Sequence, residues 1–303
     1  MAYIVGVDIG GTTIKFGFFN EDAELIDKFS IETVITHEPH DLLDVIASTI
    51  EQKIPLQDLI GIGLGVPGPV VDGVVYGAVN LDWKTVDVVN YFSLRLPEVN
   101  VAVHNDANVA ALGETHFAAK AYQNTIMITL GTGVGGGVIL NGKIWTGSYG
   151  VGGEIGHMKV SSEKIKCNCG NEGCLETIAS ATGIKRRAQH YIESGYVSSL
   201  VAPYSAKTVF EMAKSGDIAA EKVIDDLTDT LAKALQILAV TFDPEAFILG
   251  GGVSQAGEYL RAKIETKFKS LAFGQQGDLI QIELATLGND AGIYGCLKAV
   301  IDA

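Results

Sequence analysis

Apolar runs separated by glycine-rich turns fill much of the chain, and amphipathic patterns of helical spacing dominate its later part. The apolar, often β-branched runs predict buried strands at 3–8, 24–33, 59–66, 100–104, 125–130, 247–249 and 279–284. Apolar residues at helical spacing predict helices at 39–53, from 105, and at 181–193, 206–215, 217–242, 255–268 and 289–301. This alternation of strands and helices is typical of an α/β protein.

One combination of strand, Gly/Thr turn and strand occurs twice. The first copy holds D-I-G-G-T-T-I-K at Asp8–Lys15, and the second holds L-G-T-G-V-G-G-G at Leu130–Gly137. Backbone N–H groups and threonine hydroxyls in such turns can bind phosphate oxygens, and Lys15 can add positive charge. Either turn alone could be an ordinary hairpin, and neither is a P-loop, because the G-K-[ST] ending is absent. The repetition predicts two related halves that bind the phosphates of a nucleotide between them.

Two further stretches are candidates for ligand binding. Gly250–Ser254 lies between a predicted strand and a predicted helix, which favours an approach site for adenosine and phosphate. Asp106 stands where a strand runs into a helix. It could cap that helix, which the local sequence favours, or it could take a proton from a substrate hydroxyl. Both roles stay open at this point.

A cluster of thiols and an imidazole predicts a metal site. Cys167, Cys169 and Cys174 follow His157 within 17 residues, and together they supply the four ligands of a closed tetrahedral zinc site. Such a site is structural, because no position is left for water. A disulfide is the weaker interpretation, because Cys167 and Cys169 are too close in sequence to bridge easily. We expect Cys296, the remaining cysteine, to be simply buried.

Composition narrows the class of protein. The chain has 303 residues, 47% hydrophobic residues and a net charge of −14. The acidic balance disfavours binding to nucleic acid or to anionic membranes. The sequence shows no basic region followed by a cleavage site and no apolar run long enough for a membrane span, so we expect no signal peptide and a cytoplasmic enzyme.

Six motifs, in one order along nearly the whole chain, resemble the ROK (repressor, ORF, kinase) family of bacterial sugar kinases, and its glucokinase branch most closely. Besides the two Gly/Thr turns, the motifs are N-D-A-N-V-A-A-L-G-E at Asn105–Glu114, G-E-I-G-H at Gly153–His157, C-N-C-G-N-E-G-C-L-E at Cys167–Glu176 and L-G-G-G-V-S at Leu249–Ser254. The resemblance implies ATP-dependent phosphorylation of a hexose, with glucose and its 6-hydroxyl as the first expectation.

The resemblance also implies roles for individual residues. Asp106 matches the catalytic base. The positions that match sugar-binding residues are Asn105, Glu154, His157 and Glu176, with Gly68 and Asn80 in addition. The positions that match nucleotide-binding residues are Gly10, Gly11, Thr12, Thr13, Lys15, Thr132, Gly133, Gly251 and Gly252. Because Asp106 begins a helix, we expect the helix dipole to lower its pKa.

The implied fold is that of the actin-like ATPases (ribonuclease H-like), with two α/β domains flanking a cleft. We expect a small domain of 1–118 with 289–303, and a large domain of 119–288 that carries the zinc loop. The implied cofactors are ATP, Mg²⁺ bound with ATP near Asp8, and structural Zn²⁺. The implied partners are the hexose and further copies of the chain, as a homodimer or homotetramer.

Other functions within the same family stay open. The hexose could be N-acetylmannosamine, N-acetylglucosamine, fructose or allose, and polyphosphate could be a second donor. A non-catalytic sugar sensor is also conceivable, as in the family's repressors. The acidic charge and the strand at the very start, where those repressors carry a helix-turn-helix, argue against DNA binding.

Overall fold

The protein divides into two compact units. A computed structural model describes residues 2–36 and 38–303. The first unit comprises the residues up to Gln123, together with Gly137–Gly152 and Thr286–Ala303, and the second comprises Asn124–Gly136 and Gly153–Ala285. The limits expected from sequence had placed 137–152 with the second half, whereas the structure groups this stretch with the first.

The elements follow one another in an α/β order. The strands are β1 (Tyr3–Ile9), β2 (Thr13–Phe19), β3 (Leu25–Glu32), β4 (Leu59–Val66), β5 (Val70–Val71), β6 (Val74–Tyr76), β7 (Thr85–Asp87), β8 (Asn100–Asn105), β9 (Thr125–Leu130), β10 (Val134–Leu140), β11 (Lys143–Ile144), β12 (Ala246–Gly250) and β13 (Gln281–Leu284). The helices are α1 (Pro39–Lys53), α2 (Val88–Arg95), α3 (Asp106–Phe117), α4 (Glu176–Ala179), α5 (Ala181–Glu193), α6 (Ala206–Lys214), α7 (Ile218–Phe242), α8 (Glu258–Leu271), α9 (Gln276–Leu279) and α10 (Ala291–Ile301).

The main sheet of the first unit has the order β3-β2-β1-β4-β8 within the described residues. β1 and β2 form an antiparallel hairpin, while β4 runs parallel to β1 and β8 runs parallel to β4. The parallel strands therefore end at one edge of the sheet. Parallel neighbours need a crossover connection. Helix α1 lies in the connection that leads to β4, and α2 lies in the connection from β4 to β8.

A second sheet repeats this arrangement with the order β11-β10-β9-β12-β13. β12 runs parallel to both β9 and β13, as β4 does to β1 and β8. The repetition that the two Gly/Thr turns predicted is therefore present in the strand order. Within β10 the chain passes from the second unit to the first, between Gly136 and Gly137.

Each unit has its own hydrophobic core. In the first, Phe16 is fully buried and its ring stacks on Phe29 at 5.1 Å between centroids, beneath α1 and α2. In the second, α7 buries a stripe that includes Leu227, Leu231 and Leu235. That stripe has the i, i+4 spacing expected of a helix that packs along one face.

Some elements differ from those expected. Helix α2 is not predicted from the sequence; Asp87 caps it by accepting a hydrogen bond from Asn90 N–H at 2.9 Å. The turn after Gly251 is a 3-10 segment, so α8 starts at Glu258 and not near 255. The last strand is shorter than expected, because 276–279 form α9. Short elements of this kind carry too few periodic residues to show a pattern.

Helices α3 and α10 of the first unit approach each other backbone to backbone. A Cβ atom added at Gly113 would overlap the carbonyl oxygen of Ala291, and one added at Gly295 would overlap the carbonyl oxygen of Val109. Only glycine allows this separation. α10 also packs on β1 and β4, so it fills the face of the sheet opposite α1 and α2.

Among the described residues, no helix combines the length and apolar character needed to cross a membrane.

Replacing Gly295 by alanine should destabilise the protein. The added methyl group must push α3 and α10 apart, and overpacking of this kind costs about 1–3 kcal/mol. Urea unfolding of the ligand-free protein would measure the loss. Gly252→Ala is a suitable control, because a Cβ atom there meets nothing within 4 Å. Equal stability of the two variants would contradict the close helix contact.

Candidate functional site

Three neighbouring parallel strands of the first unit end at the predicted site residues. Asp8 lies beside Gly65 in the register of β1 and β4, and Val66 lies beside Asn105 in that of β4 and β8. Parallel strands present their carboxyl ends at one edge, which is where α/β proteins bind ligands. The fold therefore brings Asp8, Gly68 and the Asn105–Asp106 pair to the same edge.

Asn105, and not Asp106, caps helix α3. The Asn105 Oδ1 atom accepts hydrogen bonds from Ala107 N–H at 2.9 Å and from Asn108 N–H at 3.2 Å, and its Nδ2 donates to Gly68 O at 3.1 Å. One amide hydrogen of Asn105 is left for a ligand. The cap that the local sequence favoured for Asp106 is thus supplied by its neighbour, and Asp106 is the first residue inside the helix.

Burial raises the pKa of Asp106 to about 6, and the negative charge of Asp8 adds to this rise. A hydrogen bond from Ala107 N–H, at 2.9 Å from Oδ1, acts in the opposite direction but is outweighed. The lowered pKa expected from the helix dipole is therefore wrong. Loss of hydration destabilises the carboxylate more than the helix terminus stabilises it.

The first Gly/Thr turn is tied down by its own hairpin and by the end of β3. Gly10 N–H donates to Thr13 O at 3.0 Å, and Thr33 donates to the carbonyl oxygens of Gly10 and Thr12 at 2.8 and 3.0 Å. The side chain of Thr12 is exposed. The turn is therefore fixed while it keeps an open surface for phosphate oxygens.

A cation and a carboxylate are paired beside this turn. Lys15 Nζ lies 2.9 Å from Asp8 Oδ2, across the β1–β2 pair in which the two residues are partners. Asn80 is close as well, because a Cβ atom added at Gly11 would stand 3.4 Å from Asn80 Cβ. Asp8, Lys15 and Asn80 thus surround the first turn.

The second Gly/Thr turn is anchored to the start of α5. Ala181 N–H donates to Gly131 O at 2.8 Å, and Thr182 Oγ1 donates to Thr132 O at 2.9 Å. The third turn packs directly on β9, because a Cβ atom added at Gly251 would stand 2.6 Å from Leu130 O. Gly251 also has φ of +82°, which favours glycine. The second and third turns are therefore neighbours in the second unit.

A cavity of about 420 Å³ adjoins the third turn. One wall is formed by residues of α6, and the other by the turn itself: Ala206, Lys207, Phe210, Glu211 and Lys214, with Gly252, Val253, Gln255 and Ala256. Sequence reasoning missed the α6 residues. The positions 207, 210 and 214 share one helix face, but nothing local indicates that this face meets a glycine turn.

The four predicted metal ligands of the second unit converge. The donor atoms of His157, Cys167, Cys169 and Cys174 all lie within 4.8 Å of one another. His157 Nδ1 is 3.5 Å from Cys167 Sγ, and Cys169 Sγ is 3.7 Å from Cys174 Sγ. Zinc bound at about 2.3 Å to sulfur and about 2.05 Å to nitrogen would separate two sulfurs by about 3.8 Å, and nitrogen from sulfur by about 3.6 Å. The cluster therefore fits a tetrahedral metal ion.

Glu176 joins this cluster to the second turn. Its Oε2 accepts a hydrogen bond from Val134 N–H at 3.1 Å, and its Oε1 lies 3.7 Å from Cys167 Sγ. The carboxylate occupies the space that a side chain at position 133 would need. Glu154 is exposed and stands just before the 3-10 turn that carries His157. The second unit thus brings Glu176 against the cluster, while Glu154 precedes His157 by three residues in the chain.

Another cavity, of about 640 Å³, runs along the free edge of β8 and contains none of the predicted site residues. Cavity size alone would therefore point away from the residues that carry the motifs.

Comparisons with known proteins agree with the six motifs. The model of the ROK family matches residues 4–303. A glucokinase from Halalkalibacterium halodurans is 42% identical, over 97% of this chain and 93% of its own. A solved ROK family glucokinase from Streptomyces griseus, in complex with glucose and AMPPNP, is 33% identical with a TM-score of 0.76 over 100% of both chains. The ROK hexokinase from Thermus thermophilus is 29% identical with a TM-score of 0.83, over 99% of this chain and 100% of its own.

The chain belongs to the ROK family, since the family model spans nearly all of it. The actin-like ATPase fold expected from the sequence is confirmed by the likeness to solved ROK sugar kinases.

Proposed function

We propose that this protein is an ATP-dependent kinase that transfers a phosphoryl group to the 6-hydroxyl of glucose, giving glucose 6-phosphate and ADP. The observation that carries the proposal is Asp106, a partly buried carboxylate at the start of α3, whose pKa is raised by burial to about 6 and which interacts with Asp8 before the first Gly/Thr turn. Family membership and a relative that is a glucokinase at 42% identity support the same activity.

Asp106 is the proposed general base. As the 6-oxygen attacks the γ-phosphorus, the hydroxyl proton moves to the carboxylate. The bond from that phosphorus to the oxygen shared with the β-phosphate breaks, and ADP leaves with the electron pair. A carboxylate with a pKa near 6 is largely ionised at neutral pH and is more basic than an ordinary aspartate.

Three glycine turns are the proposed nucleotide site. Backbone N–H groups of Gly10–Thr13, and of Thr132 with Gly133, would bind phosphate oxygens, and Lys15 would add positive charge. Gly251 and Gly252 would border the adenosine, for which the cavity beside α6 has a suitable size. Mg²⁺ would enter with ATP near Asp8, whose carboxylate is a hard oxygen ligand, and would neutralise phosphate charge.

The sugar-binding residues that we propose are Asn105, Glu154, His157 and Glu176, with Gly68 and Asn80. A hexose offers hydroxyl groups and no charge, so carboxylates, amides and imidazoles suit it as hydrogen-bond partners. His157 would use Nδ1 toward the metal and Nε2 toward the sugar.

The metal that we propose is Zn²⁺ held by His157, Cys167, Cys169 and Cys174. Four protein ligands leave no site for water, so the ion would stabilise the fold and supply no reacting group. Through Glu176, it would also fix the second Gly/Thr turn. We further propose that the chain works as a homodimer or homotetramer, as the family resemblance implies, which sedimentation velocity can test.

A panel of sugars tests the proposed function. ADP release coupled to NADH oxidation would be followed with ATP, Mg²⁺ and either glucose, N-acetylmannosamine, N-acetylglucosamine, fructose or allose. We expect the highest kcat/KM with glucose. A higher kcat/KM with another hexose would reassign the substrate, and no sugar-dependent ADP would remove the kinase.

Replacing Asp106 by asparagine should abolish turnover while glucose still binds. The amide keeps the size of the side chain but cannot accept the proton, and loss of a general base costs about 10²–10⁴-fold in kcat. Steady-state kinetics would be compared with glucose binding by calorimetry. Full activity of this variant would exclude Asp106 as the base.

Activity should fall at acidic pH. The raised pKa of Asp106 means that the carboxyl group is protonated below about pH 6, and a protonated base cannot accept the hydroxyl proton. We expect log kcat/KM to fall by one unit for each pH unit below about pH 6, and to be constant between about pH 6 and neutral pH. A profile that stays flat down to pH 5 would contradict the assignment.

Replacing Cys169 by serine should release zinc and lower the melting temperature, because the exposed Cys169 thiol is one of four ligands and metal binding is coupled to folding of the loop. Zinc content by mass spectrometry and thermal unfolding would measure both effects. Cys296→Ser is the matched control, since Cys296 is buried in the first unit and donates to Val7 O. Equal zinc content in the two variants would refute the ligand assignment.

A further inference from the structure

A buried carboxylate sits at the far end of the helix that begins with Asp106. Glu114 is only 1% exposed. Its Oε1 accepts a hydrogen bond from Leu287 N–H at 2.7 Å, and its Oε2 accepts one from Thr286 N–H at 2.9 Å. Thr286 Oγ1 lies 3.4 Å from the same Oε2. A buried carboxylate needs such partners, because an unpaired charge is costly away from water.

The partners of Glu114 lie at a particular point of the chain. Ala285 is the last residue of the second unit, and Thr286 opens the segment that returns to the first and continues into α10. Glu114 therefore holds α3 to the start of the returning segment. Two backbone N–H groups bound by two oxygens of one carboxylate fix both position and direction.

The interface between helices α3 and α10 is closely packed at more than one position. Beyond Glu114, the backbones meet where Gly113 faces Ala291 and where Gly295 faces Val109. Packed backbones without intervening side chains allow little adjustment, so a shift at Glu114 is transmitted along α3.

Both helices lead to acidic residues of the site. α3 begins with Asp106, which is close enough to Asp8 for the two charges to interact. In α10, a Cβ atom added at Gly292 would stand 2.6 Å from Asp8 Cγ. The packing of α3 against α10 thus sets the distance between Asp106 and Asp8. It also sets the distance between Asp106 and the first Gly/Thr turn, which follows Asp8.

We infer that Glu114 is a positioning residue for the phosphoryl transfer: by binding Thr286 and Leu287 N–H, it sets the register of α3 against α10 and so the placement of Asp106. This inference rests on the proposed role of Asp106 as base. Glu114 touches no reacting atom. Its contribution is to hold the base where the hydroxyl proton can be taken.

The test is Glu114→Gln, with kcat and KM measured separately. The amide has nearly the same size but presents an N–H group to one of the two backbone donors, so one hydrogen bond is lost. A base displaced by a fraction of an ångström should lower kcat by about tenfold. We expect KM for glucose and ATP, and the Kd for glucose by calorimetry, to change by less than about twofold, because binding does not need the base.

Asp217→Asn is the matched control. Asp217 is also a carboxylate that accepts backbone N–H groups, from Ser199 at 2.6 Å and Ala220 at 3.0 Å, but it lies in the second unit at the start of α7. We expect this variant to lower the melting temperature with kcat unchanged. A kcat of Glu114→Gln equal to that of the wild type, or an equal loss of kcat in both variants, would overturn the inference.

If Glu114→Gln does not fold, Glu114→Asp provides the same test. It keeps the charge but is one methylene shorter, so it cannot reach both N–H groups, and the same loss of kcat at constant KM is expected. Wild-type kcat in Glu114→Asp would overturn the inference. A wild-type protein without glucose-dependent ADP release, or a fully active Asp106→Asn variant, would instead refute the proposed function.

Discussion

Direct backbone contact between α3 and α10 is the constraint on which the first unit depends. Glycine at 113 and 295 removes the side chains that would otherwise separate the helices. The helix pair is also connected to the main sheet. Helix α10 packs on β1 and β4, and α3 follows β8 directly in the chain. Asp8 in β1 and Asp106 in α3 are therefore placed by the packing of these two helices against the sheet.

In the second unit, the Cys/His cluster and Glu176 organise the loop that precedes α4. Its stretch from Gly153 to α4 has little regular structure, and the donor atoms of three thiols and one imidazole converge there. Glu176 extends this order outward, since one oxygen faces Cys167 and the other binds Val134 N–H. If the proposed metal ion binds there, it would order this loop and hold its polar side chains at the surface.

Local features of the site were predictable from sequence, whereas features that depend on distant packing were not. The Gly/Thr turns and the Cys/His cluster are specified by residues close together in the chain, and the structure has each turn between two strands and brings the four donor atoms together. The pKa of Asp106 was predicted in the wrong direction, because the helix terminus is visible in sequence but the burial of the carboxylate is not. Contacts between distant parts of the chain also cannot be read from local sequence. The cavity wall from α6 is one example. The contact of Glu114 with Thr286, which are 172 positions apart, is another.

Three separate stretches of the chain form the first unit, and this affects the order in which the two units can fold during translation. During synthesis β1, β4 and α3 emerge before the second unit, whereas α10, which packs on β1, β4 and α3, emerges only after it. Until then one face of that sheet lacks its apolar cover, while the stretch 153–285 is already complete. The nascent chain therefore completes its second unit before its first, and a chain that stopped before α10 would leave β1 and β4 without their apolar cover.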